Sequence, residues 1–373
     1  MNCRDLGIKK ACSLVLVDKI DWMSEEREQK TLDCVALAAD YMFVEDVLSL
    51  SCVAKAFAEA VKRRVSYLNI RTWDENVSMW SIGDLAARFP FAQHLTFSEE
   101  CKIEGKGRDF CQEVRSNFTS LCLRGKLAAN KLTVPKEVRG WTKKAKLNRI
   151  RLAAEERITD GRRRGAIETL LLGLASESVK HLLIKGPSCV LDRVGVYRCL
   201  ETLSVRGEPQ CGSLACEDMP SLKSLEINLG PFCMTTLRVA PRLELLRMKG
   251  TCSCTWLMEV VAPCSESLRH LSLTRSAFQS KDDKLQLQCP SLESLELTQC
   301  TGLRELTLCA PLCRIVKLDD DVDLEILTVD SHALGELQLD SLVSLKSLYL
   351  RKPYPLDVEA ARPMWPELAL KPI

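Results

Sequence analysis

Cysteine is the residue type with the most chemical potential in this chain, which has 19 cysteines among its 373 residues. Cys252, Cys254 and Cys264 follow the spacing C-x-C-x9-C, and closely spaced thiolates are typical ligands of Zn²⁺. A structural zinc site needs a second pair of ligands, and this stretch has none. We therefore predict buried, reduced thiols that fill space in a core, and no metal site.

The four histidines are the other candidates for catalysis or metal binding. His94, His181 and His270 occupy the same place in a recurring apolar phrase, where the side chain is predicted to face solvent. No nucleophile, general base or phosphate-binding loop stands at a usable spacing from any of them. We predict that the chain is not an enzyme, with no catalytic residue, no cofactor and no small-molecule substrate.

The charges of the chain nearly balance, with 52 basic and 50 acidic residues. One block, residues 126–164, is strongly basic and could bind phosphate backbones or act as a nuclear signal. Aromatic residues are only 5% of the chain, and only Trp141 interleaves with the basic residues as a base-stacking platform would require. The block is thus better explained as a solvated helix face or loop, and nucleic acid is not an expected partner.

No segment predicts a membrane span or a secretory leader. The early apolar stretch at residues 11–17 lies between Lys10 and Asp18 and is too short for either. An odd number of cysteines in a long chain also argues against a secreted disulfide scaffold. We predict a cytoplasmic or nuclear location, or both, and no membrane partner.

The elements that position all these residues are set by one recurring phrase: Leu, two residues, Leu, one residue, and a further Leu or other large aliphatic residue. It begins at Leu200, Leu222, Leu243, Leu268, Leu292, Leu303, Leu324, Leu334 and Leu345. The fourth and sixth residues of a phrase lie two apart, so in a strand both face one side while their neighbours face the other. Self-similarity of this kind predicts a solenoid, because one repeat cannot bury its apolar face alone.

The spacing of the phrases predicts two kinds of coil, a coil being one turn of the solenoid. Related phrases in the first half begin at Val65, Ala92, Phe118, Leu147 and Val179, which leaves room for a helix on the return path. From Leu292, and counting a degraded copy at Cys313, the phrases recur every ten or eleven residues, so each coil must carry two short strands on opposite faces. The predicted fold class is α/β: a leucine-rich-repeat solenoid with a parallel sheet, with strand–helix repeats first and two short strands per turn later.

A helical segment precedes the repeats, and residues 43–61 read FVEDVLSLSCVAKAFAEAV. This segment resembles the second half of an F-box, whose pattern is matched at Asp46, Val47, Leu48, Ser51, Cys52, Val53, Lys55 and Phe57. The resemblance implies docking on the Skp-type adaptor of a cullin-RING (SCF-type) ubiquitin ligase, with the repeats holding the protein substrate. The adaptor-binding residues or their support would be Val44, Val47, Leu48, Leu50, Val53 and Phe57.

The opening of the F-box pattern is not matched. Residues 31–42 lack the Leu-Pro pair that usually begins an F-box. A plain helical cap that shields the first repeat is therefore the alternative, and the function would then be that of a repeat scaffold without a ligase.

The sequence also divides into five predicted segments, and one of them carries the predicted partner surface. The segments are a lead at 1–23, an F-box-like helical unit at 24–64, strand–helix repeats at 65–199, tight repeats at 200–351 and a cap or tail at 352–373. Exposed positions of the tight repeats should face a partner protein. These are Arg206, Glu226, Arg247, Lys249, His270, Glu296 and Glu305.

Overall fold

The structure is a computed structural model in which the chain forms two compact units. The first unit is residues 1–178 and the second is residues 179–373. Within them the structure describes residues 43–44, 46–47, 65–74, 78, 80–104, 107–130, 145–154, 170–171, 173–174, 177–185, 197–206, 213–216, 219–228, 236–250, 252–278, 284–320, 323–339, 342–351 and 369–372. The predicted lead and most of the predicted tail lie outside these ranges, and the predicted segment boundaries stay predictions.

The first unit contains parallel strands that pair in chain order. They are β1 (Tyr67–Asp74), β2 (His94–Glu104), β3 (Ser120–Asn130) and β4 (Arg149–Ala154). Helix α1 (Ile82–Arg88) lies between β1 and β2 in the chain, and helix α2 (Gly107–Asn117) lies between β2 and β3. A strand followed by a helix in each of these coils agrees with the wide spacing of the phrases.

Helix α1 begins at a capping box, which explains why a helix starts there. The backbone N–H of Asp84 donates to the Ser81 hydroxyl at 3.0 Å, and the backbone N–H of Ser81 donates to the Asp84 carboxylate at 3.0 Å. The bond from the Ser81 N–H, together with a 2.9 Å bond from the Ser81 hydroxyl to the same carboxylate, holds the pKa of the Asp84 carboxyl below its ordinary value. The backbone N–H of Gly83 donates a 2.8 Å bond to the Glu113 carboxylate, which links α1 to α2.

The described residues of the second unit form parallel strands in three sheets. The first sheet has the order β5-β6-β8-β10-β11-β13-β15-β17, the second has the order β12-β14-β16-β18-β19, and the third pairs β7 with β9. The strands are β5 (His181–Lys185), β6 (Thr202–Arg206), β7 (Ser213–Ala215), β8 (Ser224–Asn228), β9 (Thr236–Arg238), β10 (Leu245–Lys249), β11 (His270–Thr274), β12 (Lys284–Gln288), β13 (Ser294–Thr298), β14 (Glu305–Cys309), β15 (Ile315–Asp319), β16 (Ile326–Asp330), β17 (Glu336–Gln338), β18 (Ser347–Leu350) and β19 (Ala369–Pro372).

From β11 to β18, successive strands alternate between the first and the second sheet. Each coil therefore contributes one strand to each sheet, as the ten- or eleven-residue spacing predicts. Leu295 and Leu297 of β13 are buried, as are Leu306 and Leu308 of β14, so the inward residues of both sheets form a core. The prediction of a parallel repeat solenoid is confirmed.

Proline marks the corner before several strands of the first sheet. The backbone N–H of Leu292 donates to the Cys289 carbonyl at 3.0 Å across Pro290, and Cys313 donates to Ala310 in the same way at 3.0 Å across Pro311. Proline suits the second position of such a turn because its φ angle is already close to the required value. Each turn thereby delivers the following phrase to its strand in the same register.

One coil departs from the two-strand pattern. Helix α3 (Cys254–Val261) and a 3₁₀ turn (Ala262–Cys264) occupy the connection between β10 and β11. The helix begins at Ser253, whose hydroxyl accepts a 3.1 Å hydrogen bond from the backbone N–H of Trp256. This connection joins the phrases at Leu243 and Leu268.

Strands of the first sheet also end alike. The residue after β10 is Gly250 with φ 124°, and Arg275, Gln299 and Asp320 follow β11, β13 and β15 with φ angles of 51°, 56° and 57°. This left-handed conformation is uncommon for residues other than glycine. Its recurrence shows that the coils of β11, β13 and β15 leave the sheet through the same backbone turn, while the coil of β10 leaves it at a glycine.

Candidate functional site

The outward side of the first sheet is a regular surface that runs across eight described strands of the second unit. In each five-residue strand the second and fourth residues are buried, so the first, third and fifth face outward. Because the strands pair in register, these outward residues form three columns that run from strand to strand. We call this surface the outward face and its columns first, middle and last.

The outward face collects six of the seven predicted partner-binding residues. Arg206, Glu226, Arg247, Lys249, His270 and Glu296 belong to β6, β8, β10, β11 and β13 of the first sheet. Glu305 belongs to β14 of the second sheet, where its carboxylate lies 2.9 Å from the ammonium of Lys284. The seven residues therefore do not form one patch.

Glu226 is the most strongly bound carboxylate on the outward face. Arg206 donates two hydrogen bonds to it, from Nε to Oε1 at 3.0 Å and from Nη2 to Oε2 at 3.1 Å, and the Ser204 hydroxyl donates a third at 2.9 Å. Burial opposes its ionisation, but these bonds and the charge of Arg247 outweigh burial and hold the pKa of Glu226 below its ordinary value. Glu226 is thus a fixed anion, largely neutralised by Arg206.

The middle column repeats its chemistry after three strands. Ser204, Glu226 and Arg247 are followed by Ser272, Glu296 and Lys317, and the Ser272 hydroxyl donates a 3.0 Å bond to Glu296 as Ser204 does to Glu226. The first column agrees, since Ser224 and Leu245 correspond to Ser294 and Ile315. The outward face therefore carries two related modules, the first on β6, β8 and β10 and the second on β11, β13 and β15.

The last column distinguishes the two modules. It holds Arg206, Asn228 and Lys249 in the first module, but Thr274, Thr298 and Asp319 in the second. In the second module Lys317 also has a partner, the carboxylate of Glu336, at 3.1 Å. Positive charge is therefore concentrated on one part of the outward face.

The phrase pattern indicated these columns, but several of their members were not predicted as site residues. Lys185, Ser204, Ser272 and Lys317 occupy outward positions, and Ser204 and Ser272 hold the two glutamates. Their places in the phrases were the available signal, because outward positions follow from the alternation of a strand. Which serine meets which glutamate required the register between strands.

Most of the cysteines that the structure describes are buried among packed side chains. Burial raises the pKa of the Cys216 and Cys264 thiols to about 12 and of the Cys289 and Cys313 thiols to about 11. Cys252, Cys254 and Cys264, which follow the spacing C-x-C-x9-C, are all buried and form no disulfide. Within the part of the chain that the structure describes, no group of three or more His, Cys, Asp or Glu residues could hold a metal ion.

Two of the histidines in the recurring phrase bond to the next strand. His94 Nδ1 lies 3.0 Å from the Ser120 hydroxyl, and His270 Nδ1 lies 3.2 Å from the Ser294 hydroxyl. The His94 ring also stacks on Tyr67, with ring centroids 4.2 Å apart. These contacts suit outward side chains that link neighbouring coils.

Of the residues predicted to bind or support an adaptor, Val44 and Val47 are described. Both are buried, at 5% and 3% exposure. Next to them, Phe43 forms a parallel bridge with Asn69 of β1, and the guanidinium of Arg71 lies 4.2 Å from the centre of the Phe43 ring. Leu48, Leu50, Val53 and Phe57 lie outside the described residues.

Among the described residues, no helix has the length and apolar character needed to cross a bilayer. No protein-family model matches the chain, and no curated protein matches it.

Proposed function

We propose that this chain is a protein-binding solenoid of the leucine-rich-repeat type, which holds a partner protein on the outward face. The observation that carries the proposal is the outward face itself, where ionic and hydroxyl side chains stand in fixed columns on a hydrogen-bonded sheet. Charged groups held in register favour specific recognition and fast association. Function by binding, without bond chemistry of its own, agrees with the lack of a spaced catalytic set in the sequence.

The finer proposal is that the chain is the substrate receptor of an SCF-type ubiquitin ligase. Its support is the resemblance of residues 43–61 to an F-box and their place just before the repeats. In this proposal Leu48, Leu50, Val53 and Phe57 contact the Skp-type adaptor, while Val44 and Val47 support the helical surface from the buried side. The outward face would then recruit the protein to be ubiquitinated.

A pull-down with the full chain tests the finer proposal. Wild-type protein should recover the adaptor and cullin, and Leu48→Asp should lose both. Leu312→Asp is the matched control, because Leu312 is a 55% exposed leucine in the second unit and its change should leave recovery intact. Absence of the adaptor from the wild-type sample would exclude the ligase role.

The second candidate is a repeat scaffold with a plain helical cap and no ligase. The bridge between Phe43 and Asn69 favours it, because the segment at Phe43 covers the free edge of β1 as a cap would. Deleting residues 24–64 should then expose β1 and lower solubility. In this case no ligase subunit should be recovered with the intact chain, whereas partner capture should still depend on the outward face.

A further inference from the structure

The first three strands of the outward face and their neighbour β10 carry an excess of positive charge. Their cations are Lys185 on β5, Arg206 on β6, and Arg247 and Lys249 on β10, which we call the basic quartet. The only outward carboxylate on β5, β6, β8 and β10 is Glu226, and Arg206 already binds it. Lys185 and Lys249 form no ion pair with another described residue.

Among the described residues, the acidic side chains that precede these strands do not neutralise the basic quartet. Glu201 and Glu244 each precede a strand of this part of the sheet, at the opposite end from Lys185 and Lys249. Glu201 lies 2.7 Å from the ammonium of Lys180, and Glu244 lies 4.0 Å from that of Lys223. Both carboxylates are therefore engaged away from the quartet.

The register places like charges side by side. Lys185 and Arg206 are directly paired across β5 and β6, and Lys249 occupies the same column on β10. Like charges directly opposite on a sheet are destabilising, and a bound anion relieves the repulsion. The second module lacks this arrangement, because its last column holds Thr274, Thr298 and Asp319.

We propose that the basic quartet binds an acidic, extended segment of the partner protein; this rests on the proposed function of the outward face. Leu183 and Leu245 are half-buried outward residues of the same strands, so the segment can also place aliphatic side chains there. A nucleic acid fits less well, because the outward residues of β5, β6, β8 and β10 include no Phe, Tyr or Trp on which bases could stack.

The spacing of the quartet sets the spacing of acids in the segment. Strands β5 and β10 are three steps apart in the sheet, and neighbouring strands lie about 4.8 Å apart, so Lys185 and Lys249 stand about 14 Å apart. An extended chain advances about 3.4 Å per residue, and side chains an even number apart share a side. Acids at positions i and i+4, about 14 Å apart, would therefore reach both lysines from one side of the segment.

Fluorescence anisotropy with labelled peptides tests the proposal on the full chain. The main probe is an eight-residue glutamate peptide, which should bind wild type more weakly as salt rises from about 50 to 200 mM. The double variant Lys185→Glu with Lys249→Glu should bind it at least about tenfold more weakly. Equal binding by the wild type and the double variant, or no binding by wild type, overturns the proposal.

Matched controls separate charge at the quartet from charge elsewhere on the face. Lys317→Glu changes the cation of the second module and should alter affinity less than about twofold, with circular dichroism confirming that all variants fold. A labelled eight-nucleotide thymidine strand should bind more weakly than the glutamate peptide, and tighter binding overturns the proposal. A serine peptide with glutamates at i and i+4 should bind more tightly than one with glutamates at i and i+3, and equal affinities overturn the extended geometry.

Failure of this inference can be told from failure of the proposed function. Suppose that partner capture is lost in Glu296→Lys but kept in the double variant Lys185→Glu with Lys249→Glu. The outward face would then remain the binding surface, but the basic quartet would be excluded as the site for an acidic segment. Capture that neither variant changes would remove the outward face as well.

Discussion

The hydroxyl of Ser204 on β6 donates a 2.9 Å hydrogen bond to the carboxylate of Glu226 on β8. Ser204 is only 6% exposed, although it stands on the outward face. The bond joins successive coils through side chains, in addition to the backbone ladder between their strands. It therefore belongs both to the stability of the solenoid and to the charge pattern that a partner meets.

Replacement of Ser204 should measurably weaken the solenoid. Ser204→Ala removes one of three donors to an ionised carboxylate, so we expect the free energy of unfolding to fall by about 1 kcal/mol at neutral pH, after allowance for the partial exposure of Glu226. Urea denaturation measures the change. Ser272→Ala is the control at the same place in the second module, and its loss should be smaller because that pair is more exposed. A larger loss in Ser272→Ala would contradict the expectation.

The same carboxylate should make stability depend on pH. The pKa of Glu226 is lowered in the folded chain, so its contribution is complete above the ordinary Glu value of about 4.3 and is lost as pH falls through the lower folded value. Glu226→Gln should therefore be less stable than wild type at pH 7, and the two should converge toward pH 3. Urea denaturation at several pH values measures the difference. If the difference in the free energy of unfolding between the two proteins stayed constant from pH 7 to pH 3, the ionised form of Glu226 would not stabilise the fold.

Gly302 should not tolerate a side chain. Its φ angle is +79°, and a Cβ atom there would lie 2.6 Å from the Phe278 carbonyl oxygen. Gly302→Ala should lower the free energy of unfolding by about 1–3 kcal/mol. Gly335→Ala is the control, because its Cβ would lie 3.8 Å from the nearest atom, the Arg314 carbonyl oxygen. Thermal or urea unfolding compares the two, and equal stabilities would be the contrary result.

The inward leucines should dominate stability. Leu295 is fully buried between the sheets, so Leu295→Ala should cost about 2–5 kcal/mol through lost apolar burial and the cavity left behind. Leu312→Ala, at a 55% exposed corner, should change stability by no more than about 0.5 kcal/mol. Denaturant midpoints measure both changes. A similar loss of unfolding free energy in the two variants would contradict the burial of the inward leucines.

Thiol labelling should follow burial. Cys122 and Cys199 are half-buried and should react with iodoacetamide before Cys216 and Cys264, whose pKa burial raises to about 12. Mass spectrometry of peptides after timed labelling of the native chain gives the order. Complete labelling under denaturing conditions is the control for access. Early reaction of Cys216 or Cys264 would show that these thiols do not pack as described.

The sequence predicted the strands well because their signal is local. Each phrase predicts which residues are buried, and the distance between phrases predicts whether a helix fits between two strands. A helix fits at α1, whereas at β12 a short strand takes the place of a helix. Helix α3 was missed because its residues are nearly all apolar or small, which removes the contrast between a buried and an exposed face.

The candidate site was predicted only in part because it depends on pairing between distant residues. Outward positions such as Arg247 could be inferred from one strand alone. The separation of Glu305 from the other six follows from the predicted placing of successive strands on opposite faces, but the exposed phrase positions were grouped without regard to their sheet. The engagement of Glu226 by Ser204 depends on register, which no single phrase contains.

The recurrence of the middle column after three strands has an evolutionary consequence. If the block from Leu200 to Ser267 were excised, β5 would be followed by β11, whose His270 and Ser272 stand where Thr202 and Ser204 stood. After the excision β5 would pair with a strand whose outward residues resemble those of β6. Unequal recombination could therefore lengthen or shorten this chain by whole modules. Related genes that differ in length by one module would be evidence of such recombination.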